Sequence, residues 1–156
     1  MRLALYQPDI PQNTGTILRM AACLGTPVDV IGPTGFDMSD RNLRRAGLDY
    51  LAHVDLTRHL SWEQYCLTRS QSKTAGRLIL LSSKAAARLP DFVFSQHDTL
   101  LFGRESAGVP HAVRDACDAA VAIPIKPPLR SLNVAVAAAM VLGEALRQTD
   151  GFPEVG

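Results

Sequence analysis

The sequence is short of the features that mark disulfide scaffolds, metal sites and membrane spans. Its three cysteines, Cys23, Cys66 and Cys117, are odd in number, far apart and without a Cys-x-x-Cys pair. That argues against a disulfide framework and against a cysteine-based zinc site. The four histidines, His53, His59, His97 and His111, show no His-Glu-x-x-His spacing, so no metal is expected. Apolar runs such as Leu78–Leu81 and Leu100–Phe102 fall far below the roughly 20 residues a membrane helix needs. Met1–Tyr6 leads into no long apolar stretch with a small-residue cleavage site, so no signal peptide is expected and the reading is cytoplasmic. An excess of charge is missing too: 16 basic against 15 acidic residues give +1, where a nucleic-acid binder often carries a clear positive surplus. Internal repeats, low-complexity stretches and long linkers are absent, so residues 1–156 are expected to form one domain.

What is present is a chain of 156 residues, 47% hydrophobic and 20% charged, enough for one sizeable core. Strands are expected at Arg2–Tyr6, Pro27–Ile31, Leu51–Leu56, Leu78–Leu81, Thr99–Phe102 and Ala120–Ile125. Helices are expected between them. The first, Thr14–Leu24, has Asn13 or Thr14 to cap it, an apolar stripe of Ile17, Met20, Ala21 and Leu24, and Gly25 to stop it. A short helix capped by Ser39 carries Arg41, Arg44 and Arg45 on one face. Ser61–Arg69 opens with the capping-box spacing of Ser61 and Gln64 and gathers Trp62, Tyr65 and Cys66 on one side. Pro110–Cys117 starts on a proline suited to a first turn, and Leu132–Gln148 is the longest helix. Thr149–Gly156 reads as a frayed end. Strands alternating with helices predict an α/β domain with a largely parallel sheet flanked by helices.

Open parallel sheets collect ligands at the carboxyl ends of their strands. Three loops qualify: Ser82–Lys84, Gly103–Pro110 and Lys126–Ser131. Gly103-Arg104-Glu105-Ser106-Ala107-Gly108-Val109-Pro110 carries glycines at both ends of a short turn, which lets a ligand approach the backbone. It is neither a P-loop nor a GxGxxG fingerprint, and taken alone it is equally well a plain turn. Pro124, Pro127 and Pro128 stiffen the loop before the last helix. Ser131 and Asn133 stand at that helix start, where they can meet a polar ligand or simply cap the helix. The run Val134–Met140 is apolar nearly all round, as expected of a helix buried within the chain or against a second subunit. Asn13 and Arg19 share the first helix, with Arg19 off the apolar stripe.

Three segments together resemble one family. They are Asn13-Thr14-Gly15-Thr16-Ile17-Leu18-Arg19, Leu101–Pro110, and Ile123-Pro124-Ile125 followed by Arg130–Ala137. In this order they resemble the SPOUT superfamily of RNA methyltransferases, and within it the TrmH-like ribose 2′-O-methyltransferases. The likeness runs from Leu3 to about Gln148. With Arg44–Tyr50, and with no added RNA-binding domain, the chain is similar to the minimal TrmL-type branch, whose members methylate the wobble nucleotide of leucine tRNAs. The resemblance implies an α/β knot with a C-terminal trefoil, S-adenosyl-L-methionine as methyl donor, S-adenosyl-L-homocysteine as product, tRNA as substrate and a homodimer. It implies donor contacts at Leu81, Gly103, Ile123, Ile125, Ser131 and Leu132. It implies catalytic positions at Asn13, Arg19, Glu105, Ser131 and Asn133, with Arg19 stabilising a developing alkoxide and Glu105 orienting Arg19 or Asn13. Arg41, Arg44 and Arg45 would meet tRNA phosphates. Ala107 and Pro127-Pro128 depart from the family pattern and bear on substrate preference. Two other readings stay open: another nucleotide-binding α/β enzyme, and an RNA-binding protein that has lost catalysis.

Overall fold

The computed structural model describes residues 1–156. Its centre is a seven-stranded sheet in the order β3-β2-β1-β6-β4-β7-β5, with every neighbouring pair parallel. The strands are β1 (Arg2–Tyr6), β2 (Val28–Ile31), β3 (Leu56–His59), β4 (Leu78–Leu81), β5 (Ala87–Arg88), β6 (Thr99–Phe102) and β7 (Ala119–Ala122). The helices are α1 (Pro11–Cys23), α2 (Arg41–Gly47), α3 (Trp62–Ser70), α4 (His111–Asp115) and α5 (Val134–Gln148).

The expected parallel α/β architecture is thus observed, and β1, β4 and β6 have the expected bounds. All three are central and covered on both faces, which is why their residues are apolar at nearly every position rather than at every second one. Successive side chains go to opposite faces. Leu3, Leu5, Ile79, Leu100 and Phe102 pack with Ile17, Ala21, Ala138 and Leu142 on the α1–α5 side. Ala4, Tyr6, Leu78, Leu80 and Leu101 pack with Tyr65 and Val113 on the α3–α4 side. Trp62 and Cys66 join Tyr65 there, as the capping-box helix predicted.

Several boundaries differ from expectation, each for a local reason. Helix α1 begins at Pro11, with no side-chain cap at Ile10. Proline at the first helical position forgoes an N–H that has no helical partner anyway, so Asn13 and Thr14 lie inside the first turn. Asp40, not Ser39, caps α2, accepting from the amides of Asn42 at 2.7 Å and Leu43 at 3.3 Å. The segment Leu51–Leu56 is not a strand. Leu48–His53 forms a 3-10 helix, and Gly47 lies so close to Leu51 that an added Cβ would sit 2.3 Å from its side chain. The strand starts only at Leu56, opposite Val28. Pro110 caps α4 rather than opening it. Strand β7 starts at Ala119 and stops at Ala122, leaving Ile123-Pro124-Ile125 as loop. Helix α5 starts at Val134 with Asn133 as its cap, so Ser131 and Leu132 stand outside it. Gly25 does end α1, at φ +62°. The two-residue edge strand β5 was not anticipated.

The strand order reverses between β1 and β6. From β1 the chain works outward through β2 to β3, then crosses to β4 on the far side of β6. The switch point thus lies between β1 and β6, and in such sheets ligands gather at the carboxyl ends of the strands near it.

Candidate active site

A cleft of about 420 Å³ opens at the carboxyl end of the sheet, walled by the loops that follow β4, β6 and β7. Its size suits a small organic ligand, for which sites run from roughly 300 to 1,000 Å³. Of the residues singled out in the sequence, Leu81, Gly103, Glu105, Ile123, Ser131 and Leu132 line it. The structure thus brings all three expected loops onto one cavity. Ile125 is half-buried but does not line the cleft. Lys84, His111 and Arg114 also reach its walls; nothing in the sequence distinguished them from surface charges.

The loop after β6 is a tight turn closed on itself. The Arg104 N–H donates to the Gly108 carbonyl at 2.9 Å and the Gly108 N–H donates back at 2.8 Å. Gly108 takes φ +65°, which glycine adopts without strain. At Gly103 an added Cβ would lie 2.6 Å from the Gly108 carbonyl carbon, so the two strands of the turn can approach only because this position has no side chain. The result is exposed backbone and a smooth glycine floor beside Glu105.

Glu105 does not contact Arg19 or Asn13, so the expected orienting role toward them is not what the geometry gives. Its carboxylate accepts from the Asp9 N–H at 3.1 Å, which sets the two acidic residues side by side. Asp9 lies in the loop after β1, on the other side of the reversal point. Burial, followed by the hydrogen bond with Asp9, pushes Glu105 above the ordinary carboxyl range. Hydrogen bonds from Glu105 and Ser106, with the charge of Arg104, hold Asp9 well below it. Sequence reasoning missed Asp9. The available signal was its place after a central strand next to the switch point.

Asn13, Arg19 and Asn133 lie outside the cleft lining. Asn133 caps α5, its Oδ1 accepting from the amides of Ala135 at 2.8 Å and Val136 at 3.3 Å. Its amide nitrogen donates to Asn13 Oδ1 at 2.9 Å, joining the first motif to the third. Arg19 is exposed and stacks on the Tyr50 ring, 4.8 Å from its centre. Arg41, Arg44 and Arg45 are exposed on α2, which packs against α1 through the close approach of Gly15 to Leu43. Nowhere do three or more His, Cys, Asp or Glu side chains converge as a metal site would require. A second cavity, about 390 Å³, lies at the opposite end of the sheet beside Arg2, Asp29, His59 and Arg69. Its charged groups are spent on each other and on the backbone: Asp29 bonds His59 at 2.7 Å and Arg2 at 3.0 Å, and Arg69 bonds Thr99 at 3.0 Å and the Gly76 carbonyl. It touches none of the motif loops.

Residues 1–143 match the family model described as the SpoU rRNA Methylase family. The chain is 59% identical, over 98% of its length and 94% of the relative's, to the tRNA (cytidine(34)-2′-O)-methyltransferase of Beijerinckia indica. Among solved structures it resembles one described as giving insights into the 2-OH methylation of C/U34 on tRNA, with TM-score 0.87, 43% identity and 94% of each chain covered. It also resembles the SpoU methyltransferase AviRb of Streptomyces viridochromogenes in complex with AdoMet, with TM-score 0.86 and 32% identity, over 95% of this chain and 57% of that one.

Proposed function

The chain belongs to the SpoU rRNA methylase family, and from that membership we propose that it is a tRNA 2′-O-ribose methyltransferase that uses S-adenosyl-L-methionine. The modified position is nucleotide 34, the wobble cytidine or uridine, in leucine isoacceptors. The supporting observation is the meeting of the Gly103–Gly108 turn and the Ile123–Leu132 loop on one cleft, with Asn13 and Asn133 clasped at its edge. The 59% identical relative acts on cytidine 34 by its description. Residues 1–156 act as one methyltransferase domain, with the C-terminal segment forming the trefoil knot of the SPOUT superfamily. No helix is long and apolar enough to cross a membrane, and a tRNA substrate suits an enzyme of the cytoplasm.

The residues present fit the methyl donor. Leu81, Ile123 and Leu132 give apolar walls, and the Gly103 floor lets a ligand sit against backbone that a Cβ would fill. When bound, S-adenosyl-L-methionine supplies an electrophilic methyl group. The protein's task is mainly alignment of the ribose oxygen with that group. Leu81, Gly103, Ile123, Ser131 and Leu132 hold the donor side, and Ile125 braces the loop behind them. Asn13 and Asn133 fix the start of α5 relative to α1. A guanidinium keeps its proton and has no free lone pair to abstract another, so Arg19 does not serve as the base. Its part is to stabilise the developing alkoxide and to grip a neighbouring phosphate. Because Arg19 stands away from this chain's own cleft, it serves the cleft of a second copy in a homodimer. An exposed apolar strip of Leu129, Leu132, Val136 and Met140 supports that assembly. Arg41, Arg44 and Arg45 bind tRNA phosphates.

The test is transfer of labelled methyl from S-adenosyl-L-methionine to bulk tRNA, followed by nucleoside mapping. Label in 2′-O-methylated nucleotide 34 is the expected result. Absence of label in any tRNA would overturn the proposal and favour an RNA-binding protein without catalysis.

A further inference from the structure

Asp9 is an acidic group beside the site that none of the motifs marks, and it sits where the sheet reverses its order. Its Oδ2 accepts from the Ser106 hydroxyl and faces Arg104 Nη2 at 3.6 Å. Its N–H donates to Glu105 Oε2 at 3.1 Å. Its Oδ1 is buried and has no N–H or O–H partner. Buried polar atoms are nearly always paired, and one left over calls for an explanation. Arg104 faces Oδ2 and its buried Nε does not reach Oδ1; the other neighbour able to complete Oδ1 is the Glu105 carboxyl, whose Oε2 holds the Asp9 N–H and which also lines the cleft. A proton on Glu105 would be the missing donor.

We infer that Asp9 is a positioning residue that makes Glu105 the proton acceptor of the methyl transfer: the proton leaving the ribose hydroxyl is taken by Glu105 and shared with Asp9 Oδ1. The inference rests on the functional reading above. In the step, the ribose oxygen forms a bond to the methyl carbon and the sulfur–methyl bond breaks, its electron pair returning to sulfur. The hydroxyl proton ends on Glu105, and solvent removes it after product leaves. Before the step Asp9 Oδ1 lacks a donor; after it, the donor is in place. The pair therefore draws the proton inward.

The electrostatics agree. Glu105 is raised by burial and then by Asp9, while Asp9 stays low through its bonds to Glu105 and Ser106 and the charge of Arg104. A carboxylate with raised proton affinity is a stronger base than a solvated one. The other charged or titratable groups facing the pair are Arg104 on the same turn, Lys84 from the loop after β4, and His111 and Arg114 from α4. The positive ones favour the ionised form, so burial and Asp9 are what raise Glu105 against them.

Glu105 must be ionised to accept, so kcat should fall as the pH drops through its raised value. Asp9→Asn removes the like charge and places an amide donor on Glu105, which lowers its proton affinity. The acidic limb of the kcat profile should move to lower pH, and the plateau kcat should drop roughly tenfold as the base weakens. KM for the methyl donor should hold. Asp9→Glu keeps the charge and should leave the limb near its wild-type position. Carbon-13 NMR of the Glu105 carboxyl reads the same midpoint in the free protein, without catalysis. A wild-type Glu105 midpoint at or below the ordinary value of about 4.3, or an active Asp9→Asn enzyme whose limb and midpoint do not move, would overturn the inference alone. A wild-type chain that shows the raised midpoint but methylates no tRNA would overturn the functional reading, and with it the catalytic use of the pair.

Discussion

Replacing Asn133 separates two roles that the structure combines in one side chain. Its Oδ1 caps α5 through the Ala135 and Val136 amides, and its Nδ2 clasps Asn13 at 2.9 Å. Asn133→Ala removes both. Loss of a helix cap costs about 1 kcal/mol, and loss of an exposed side-chain hydrogen bond adds about 0.5 kcal/mol, the low end for such bonds. The sum, about 1.5 kcal/mol, corresponds to a Tm lower by about 4 °C in a chain of this size. Asn133→Ser keeps the cap, because serine caps about as well as asparagine, but its hydroxyl is too short to reach Asn13. It should lose only about 0.5 kcal/mol, while methyl transfer falls because α1 and α5 are no longer held together at the edge of the cleft. Urea unfolding gives the stabilities and initial rates of methyl transfer give the function. Equal destabilisation by alanine and serine would refute the capping assignment. Full turnover in Asn133→Ser would show that the clasp positions nothing.

Four further outcomes follow from the geometry. Gly103→Ala drives a Cβ to 2.6 Å from the Gly108 carbonyl carbon, costing about 1–3 kcal/mol in forced backbone movement; calorimetry should show weaker binding of S-adenosyl-L-methionine, and unchanged affinity would mean that the turn does not shape the donor site. Removing Arg41, Arg44 and Arg45 together should flatten the salt dependence of tRNA binding by about 0.7–0.9 in log–log slope for each phosphate no longer neutralised, and an unaltered slope would place the RNA elsewhere. Burial, with Asp118 nearby, pushes the Cys117 thiol up to about 11, so iodoacetamide at pH 8 should modify exposed Cys23 first and Cys117 last by mass spectrometry; simultaneous labelling would contradict the burial. Asp98 is fully buried and accepts from Arg77 at 3.0 and 2.7 Å and from the Ser95 N–H at 2.7 Å. Asp98→Asn should cost about 2 kcal/mol, less than the 3–5 kcal/mol of a wholly buried pair, because the Arg77 side chain is 41% exposed; a loss below 0.5 kcal/mol, on the order of a surface pair, would be incompatible with that network.

The parts of the fold legible in the sequence are those where burial decides everything. β1, β4 and β6 are apolar almost end to end because helices cover both faces, and their limits can be read directly. Where a boundary is set by one close approach it is not legible. The 3-10 helix at Leu48–His53 depends on Gly47 meeting Leu51, and the alternation of Ala52, Val54 and Leu56 imitates a strand. Asn133 as cap of α5 competes with Ser131 two residues earlier, and the local pattern does not say which one the helix uses. The site shows the same split. Gly103, Glu105, Ile123, Ser131 and Leu132 lie within two compact motifs, so the sequence marks them. Asp9 acts through a residue 96 positions away. Its significance comes from the reversal of strand order between β1 and β6, a property of topology rather than of local pattern.

Net charge illustrates why a total can mislead about a partner. The balance of +1 suggests little attraction for RNA, yet the acids are not spread evenly against the bases. Asp29, Asp98 and Asp9 are drawn inward and paired with Arg2, Arg77 and Arg104, and Glu144 and Asp91 bind arginines one helical turn away. Arg19, Arg41, Arg44 and Arg45 have no ion pair and lie exposed on α1 and α2, which pack together. Lys126 and Arg130 are exposed on the loop that leads to α5, whose cap is tied to α1 by Asn13. Cations without an ion pair therefore stand on the elements around the Asn13–Asn133 clasp, with Asp40 and Asp49 the acids on or next to α2. Because salt screens exposed charges beyond about 8–10 Å, a polyanion reaching that side would meet these cations rather than the balance of the whole chain.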